Sequence, residues 1–124
     1  MKDFQTGQIR NVALVSQHGT GKTSLAEALL FRTKAIGRHG KIEDGTTSLD
    51  FTPEETHRRI TISLSVAPLE WKNHKINLID TPGYADFMGD LAAGLRAADG
   101  ALLCLKAAAG VEAGTEAVWE RIED

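Results

Sequence analysis

Residues 12–30, "VALVSQHGTGKTSLAEALL", constrain this chain more than any other stretch. An apolar run enters a turn with two glycines, and the turn opens directly into helix-forming residues. "RNVALVS" (10–16) is short, apolar and stopped by the glycine-rich turn, so it reads as a buried parallel strand. "GKTSLAEALLFRTK" (21–34) has helix formers and apolar residues at Leu25, Ala28, Leu29 and Phe31, and reads as an amphipathic helix. The turn between them carries Gly21-Lys22-Thr23, the core of the phosphate-loop pattern G-x-x-x-x-G-K-[ST], with Ser16 in place of the leading glycine. In such a loop, backbone N–H groups and the helix dipole favour an anion at the helix start. Gly19 and Gly21 suit the close approach and unusual backbone angles. The Lys22 ammonium is placed to reach β- and γ-phosphates, and the Thr23 hydroxyl to ligate Mg²⁺.

The rest of the chain alternates strand and helix. Residues 35–59 hold glycines, a proline and many polar residues without a sustained period, which predicts a long loop, either functional or disordered. "ITISLSVAPL" (60–69) alternates, predicting a half-buried strand with Ile60, Ile62, Leu64 and Val66 on one face. "WKNHK" makes a turn and "INLID" (76–80) pairs back as a hairpin. Phe87, Leu91, Leu95 and Ala98 predict a helix over 85–98. "GALLCLK" (100–106) lacks alternation and predicts a strand buried on both faces. A helix over 111–124 follows, with Val111, Val118 and Ile122 inward. This order is an α/β plan with a mostly parallel sheet, and it puts the phosphate loop at the carboxyl ends of the strands, where open sheets bind ligands.

Two further elements fit the loop. In "DTPGYADF", Asp80 ends a strand parallel to the first and faces the metal position, commonly through water, while Gly83 presents a backbone N–H to the γ-phosphate. Asp-Thr-Pro-Gly is also a good turn. Thr61, in "RRITI", offers a hydroxyl that completes the Mg²⁺ shell when a γ-phosphate orders the preceding loop.

Together these motifs resemble the translational GTPases, most closely the GTP-binding domain of elongation factor G and its relatives, over nearly the whole chain. "NVALVSQHGTGKTSLAEALL" is similar to that family's first strand, phosphate loop and helix, and "EDGTTSLDFTPEETHRRITI" to its first switch region. "INLIDTPGYADF" resembles its second switch, and "AADGALLCLKAAAGVEAGTEAVWERI" its fourth strand and next helix. The resemblance implies a P-loop NTPase fold, a three-layer αβα domain whose full sheet has about six strands in the order 2-3-1-4-5-6. The phosphate loop falls at 16–24, switch one at about 37–61 and switch two at about 80–98. It implies GTP or GDP with Mg²⁺ as ligands. Gln17, His18, Gly19, Thr20, Gly21, Lys22, Thr23, Ser24, Thr61, Asp80 and Gly83 then hold the nucleotide, and Thr23, Thr61 and Asp80 hold the metal. Lys22 and Tyr84 are the catalytic residues that it implies.

The chain departs from the family at three places: Gly19 lacks the family's acidic side chain, Arg59 replaces a glycine, and Tyr84 replaces the water-positioning histidine. A tyrosine, with a pKa near 10, is a poor base at neutral pH, so slow hydrolysis is expected. The family's [NT]-K-x-D guanine motif does not occur before Asp124, so the chain reads as a domain truncated after about four strands, and contacts with the ribosome belong to regions outside it. A GTP-dependent binding switch with little hydrolysis, or a P-loop ATPase or kinase, fits these residues as well.

Composition narrows the partners. Net charge is −3, which gives no basis for direct nucleic-acid binding by this segment. No apolar run approaches the roughly 20 residues needed to span a bilayer, and the N-terminus lacks a signal h-region, so a cytoplasmic location is expected. Cys104 lies in an apolar run and reads as a core residue rather than a reactive thiol. His18, His39, His57 and His74 show no zinc spacing.

Overall fold

The computed structural model describes residues 2–37, 40, 49, 64–83 and 88–124. A 3₁₀ turn at Thr6–Gln8 leads into β1 (Ile9–Ser16), then α1 (Lys22–Arg32), β2 (Ser65–Trp71), β3 (His74–Asp80), α2 (Met88–Ala97), β4 (Gly100–Cys104) and α3 (Ala113–Glu123). The four strands form one sheet in the order β2-β3-β1-β4. β3 and β4 both run parallel to β1, and β2 is antiparallel to β3. This is the expected mostly parallel α/β sheet.

Side chains of β1 alternate between two cores. Leu14 points to one face and packs with Ala26 and Leu30 of α1, Leu69, Leu78 and Leu49. Ala13 and Val15 point to the other and pack with Leu91 of α2 and Val118 of α3. A strand covered on both faces needs no polar positions, which is why "VALV" carries none. The layers are therefore α1, sheet, and α2 with α3. The β2–β3 hairpin closes through Lys72 and Asn73, both with positive φ (46° and 62°), as a two-residue hairpin loop requires.

The packing selects the inward face of α1 and corrects three expectations. Helix α1 turns Ala26, Glu27 and Leu30 inward, while Leu25 and Phe31 are exposed. The helix sits against the sheet along the line that also buries Lys22 and Thr23, and that line sets its rotation. In β2 the inward face is Ser65, Ala67 and Leu69, and Val66 is 57% exposed. The alternation is real, but the buried side chains of β2 are those facing α1, where Leu69 joins the cluster of Leu14, Ala26 and Leu30. The Ser65 hydroxyl is satisfied by donating to the Leu49 carbonyl at 2.9 Å. Val111 precedes α3 and is exposed, whereas Val118 and Ile122 face the core as expected. Finally, β4 ends at Cys104 and is not buried on both faces: Leu102 is 43% exposed, and among the described residues β4 pairs only with β1. Residues 60–63 of the expected second strand and Phe87 lie outside the described residues. Among the described residues no helix is long and apolar enough to cross a membrane.

Candidate functional site: a phosphate loop and its carboxylate

The phosphate loop leaves the carboxyl end of β1 and enters α1 through Gly21, whose φ of 87° is open to glycine and strained for other residues. The first N–H groups of a helix have no partner inside it. Here they begin at Lys22, directly after a turn whose Gly19 also has positive φ (80°).

The neighbouring parallel strand supplies the acid. In the β1–β3 register Asp80 stands opposite Leu14, at the same edge of the sheet as the loop. Thr81 locks that register: its hydroxyl donates to the Leu14 carbonyl at 2.7 Å, and the residue is fully buried. Asp80 is likewise fully buried. Lys22 Nζ donates to Asp80 Oδ1 at 2.5 Å, and Thr23 Oγ1 donates to Oδ2 at 2.8 Å. Both oxygens of one carboxylate are thus engaged by consecutive residues at the start of α1. A buried ion pair is not by itself evidence of stability, since desolvation offsets much of the attraction. Such an arrangement fits a functional site at least as well as a structural one.

Gly83 follows three residues later and lies against the loop. Its carbonyl accepts the His18 N–H at 3.0 Å, and a Cβ at 83 would come within 2.8 Å of His18 N. Only a residue without a side chain allows that approach. Partial burial lowers the His18 pKa below its ordinary value, and the Lys22 charge lowers it further, so the ring is neutral at neutral pH. The Thr20 hydroxyl oxygen is buried without a hydrogen-bond partner among the described residues. Ser24 is exposed beside the loop, and Ser16, in the position of the missing glycine, is buried at the end of β1 opposite Cys104.

The structure therefore brings together Gln17, His18, Gly19, Thr20, Gly21, Lys22, Thr23, Ser24, Asp80 and Gly83. Thr61 and Tyr84 lie outside the described residues. Cys104 is only half-buried, and burial chiefly raises its pKa, with Asp80 adding and Lys22 opposing, so the thiol stays protonated. Among the described residues no group of three or more His, Cys, Asp and Glu is placed to hold a metal. The oxygen donors at the loop are the one carboxylate and its neighbouring hydroxyls.

Sequence reasoning missed two partners of the loop. The Gln17 side chain donates to the Glu112 carboxylate and accepts the Gly114 N–H at 2.8 Å. Both belong to the start of α3, where Glu112 N–H donates to Thr115 Oγ1 at 3.2 Å. The spacing Glu112-x-x-Thr115 is the available signal: it marks a helix start, though not what the helix start touches.

A model of the family described as the elongation factor Tu GTP binding domain matches residues 7–124. An elongation factor G-like protein of Mycobacterium tuberculosis is 48% identical over 114 residues, covering 92% of this chain and 16% of that protein. A mitochondrial ribosome-releasing factor 2 of Yarrowia lipolytica is 40% identical over 119 residues, covering 96% of this chain and 15% of that protein. A crystal structure of a protein from Thermus thermophilus superimposes with a TM-score of 0.91 at 49% identity, covering 94% of this chain and 18% of that one. The bacterial selenocysteine-specific elongation factor, at 23% identity and a TM-score of 0.74, shares the fold. The chain thus spans less than a fifth of the length of each of these relatives.

Proposed function

The chain belongs to the family of elongation factor Tu-type GTP-binding domains, and from that premise we propose that it is the nucleotide-binding part of a translation factor of the elongation factor G kind. It binds GTP with Mg²⁺ and hydrolyses the γ-phosphate slowly, driving conformational switching on the ribosome. The names of its relatives, elongation factor G-like and ribosome-releasing factor, support that setting. The observation that carries the reading is the convergence of Lys22 and Thr23 on the buried Asp80.

Each residue has a role that its chemistry suits. The loop N–H groups from Gly19 to Ser24 hold phosphate oxygens at the start of α1, while the His18 N–H is spent on the Gly83 carbonyl. Lys22 exchanges Asp80 for the β- and γ-phosphates, which keeps a buried ammonium paired. Thr23 and Asp80, with Thr61 from switch one, would hold Mg²⁺. The Thr23 hydroxyl and the Asp80 carboxylate are hard oxygen donors brought side by side, the donor type that would suit Mg²⁺ directly or through water. When bound, the ion would neutralise charge on the phosphate oxygens. Gly83 offers its N–H to the γ-phosphate, and Tyr84 orients the attacking water.

Lys22→Ala in the full-length protein tests the phosphate-loop role. A loss of affinity for a fluorescent GDP analogue of at least tenfold is expected; unchanged affinity overturns it. Competition between GTP and ATP for the same site decides the base, and a preference for ATP would favour the ATPase or kinase alternative. Tyr84 favours a second reading, a GTP-dependent binding switch with little hydrolysis. Single-turnover hydrolysis in the presence of ribosomes separates the two: Tyr84→His accelerates the reaction if Tyr84 limits it, and leaves the rate unchanged if it does not.

A further inference from the structure

Gln17 stands in the phosphate loop, yet its side chain is committed elsewhere. Its amide oxygen accepts the Gly114 N–H at 2.8 Å, and its amide nitrogen donates to the Glu112 carboxylate. Both ends of the amide are used, in the one orientation that works. With the amide turned over, its oxygen would face the carboxylate and its NH₂ a backbone N–H.

The other half of the fit is Gly114. A Cβ there would lie 2.6 Å from Gln17 Oε1 and 2.8 Å from its Cγ. Gln17 fills the space that any side chain at 114 would need. Glycine is disfavoured inside a helix, and the backbone at 114 is ordinary helix that alanine could adopt. The glycine is there for room. A polar side chain from the loop thus docks on the start of a helix whose N-cap, Glu112, lies 95 residues later in the sequence.

We propose that Gln17 is a positioning residue: its side chain clasps the phosphate loop to the start of α3 and holds the loop N–H groups aimed at the nucleotide, without touching the nucleotide itself. This rests on the reading that the loop holds nucleotide phosphates. Loosening the clasp lets the loop open and speeds nucleotide loss, while the encounter rate is little changed because Lys22 and the helix start remain in place.

The test is stopped-flow dissociation and association of a fluorescent GDP analogue from the full-length protein. Gln17→Ala should raise the dissociation rate about tenfold, the cost of one hydrogen bond to a charged group, with association within about twofold and thermal stability nearly unchanged. Gly114→Ala should expel the side chain and do the same, and the two together should be no worse than either alone. Gln17→Glu sets two carboxylates against each other and should speed dissociation further. Adding Glu112→Gln exchanges amide and acid and should restore slow dissociation, a rescue that general loop damage would not give. Unchanged dissociation in Gln17→Ala, or no rescue by the exchange, overturns the clasp. If Lys22→Ala also leaves affinity unchanged, the phosphate site itself has failed; if Lys22→Ala abolishes binding while Gln17→Ala has no effect, only the clasp has.

Discussion

The two strands that flank β1 look alike in sequence and differ in the fold. "INLID" of β3 and "GALLC" of β4 are both short, apolar and parallel to β1. β3 has β2 on its far side, buries Leu78 and Ile79, and ends in the fully buried Asp80. Among the described residues β4 pairs only with β1, exposes Leu102, and ends in the half-buried Cys104. Both ends lie next to the phosphate loop, yet only the β3 end carries a charge that the loop engages. An apolar run therefore reports that a segment can be a strand. Its place in the sheet order decides how dry it is, and dryness gives a carboxylate at its end leverage over a neighbouring cation.

The sharpest way to break this comparison is at the strand ends. Asp80→Ala leaves the Lys22 ammonium, itself only 6% exposed, without its partner. Stability should fall by about 3–5 kcal/mol, whereas Cys104→Ser should change it by less than about 1 kcal/mol. Urea unfolding of the two variants measures both, and equal losses would mean that the ends are equivalent. Along the strands the contrast is smaller. Leu78→Ala empties a packed site and should cost about 2–5 kcal/mol, and Leu102→Ala, 43% exposed in this 124-residue chain, less than about 1 kcal/mol. A Leu102→Ala loss as large as that of Leu78→Ala would show that β4 is as well packed as β3.

Two titrations sharpen the picture with smaller effects. Because burial raises the Cys104 pKa, its reaction with a disulfide reagent should be slower at pH 8 than that of an unstructured cysteine and should keep rising to more alkaline pH. A rate matching the unstructured thiol would refute the shift. His18 should titrate below its ordinary 6.5. A histidine with a lowered folded pKa binds its proton less readily folded than unfolded. It therefore costs stability as pH falls below 6.5, and the cost levels off once pH is beneath the folded value. Proton NMR of His18 reads the midpoint directly, and a value at or above 6.5 contradicts the burial by the loop and Lys22.

Much of the site was legible because its signals are local. A strand, a glycine turn and a helix start must be adjacent to make a phosphate loop, and residues 12–30 hold all three. Asp80 could be assigned to a strand end from five residues, and the hairpin from the turn at Lys72 and Asn73. The inward face of α1 was not legible, since apolar residues lie around much of the helix and only contact with the sheet selects Ala26 and Leu30 over Leu25 and Phe31. Val66 and Ser65 exchanged places for the same reason: period-two alternation names two faces without saying which one a helix covers.

The sequence by itself determined the succession of strands and helices, the Gly-Lys-Thr turn and the acid at the end of β3, all properties of short segments with their own backbone preferences. Only the tertiary structure decided that Lys22 and Thr23 share one carboxylate across more than fifty residues, and that Gln17 reaches Glu112 and Gly114 rather than solvent. Those pairings depend on strand order, register and helix rotation. These follow from burying the whole set of apolar faces at once, and no single segment carries that information.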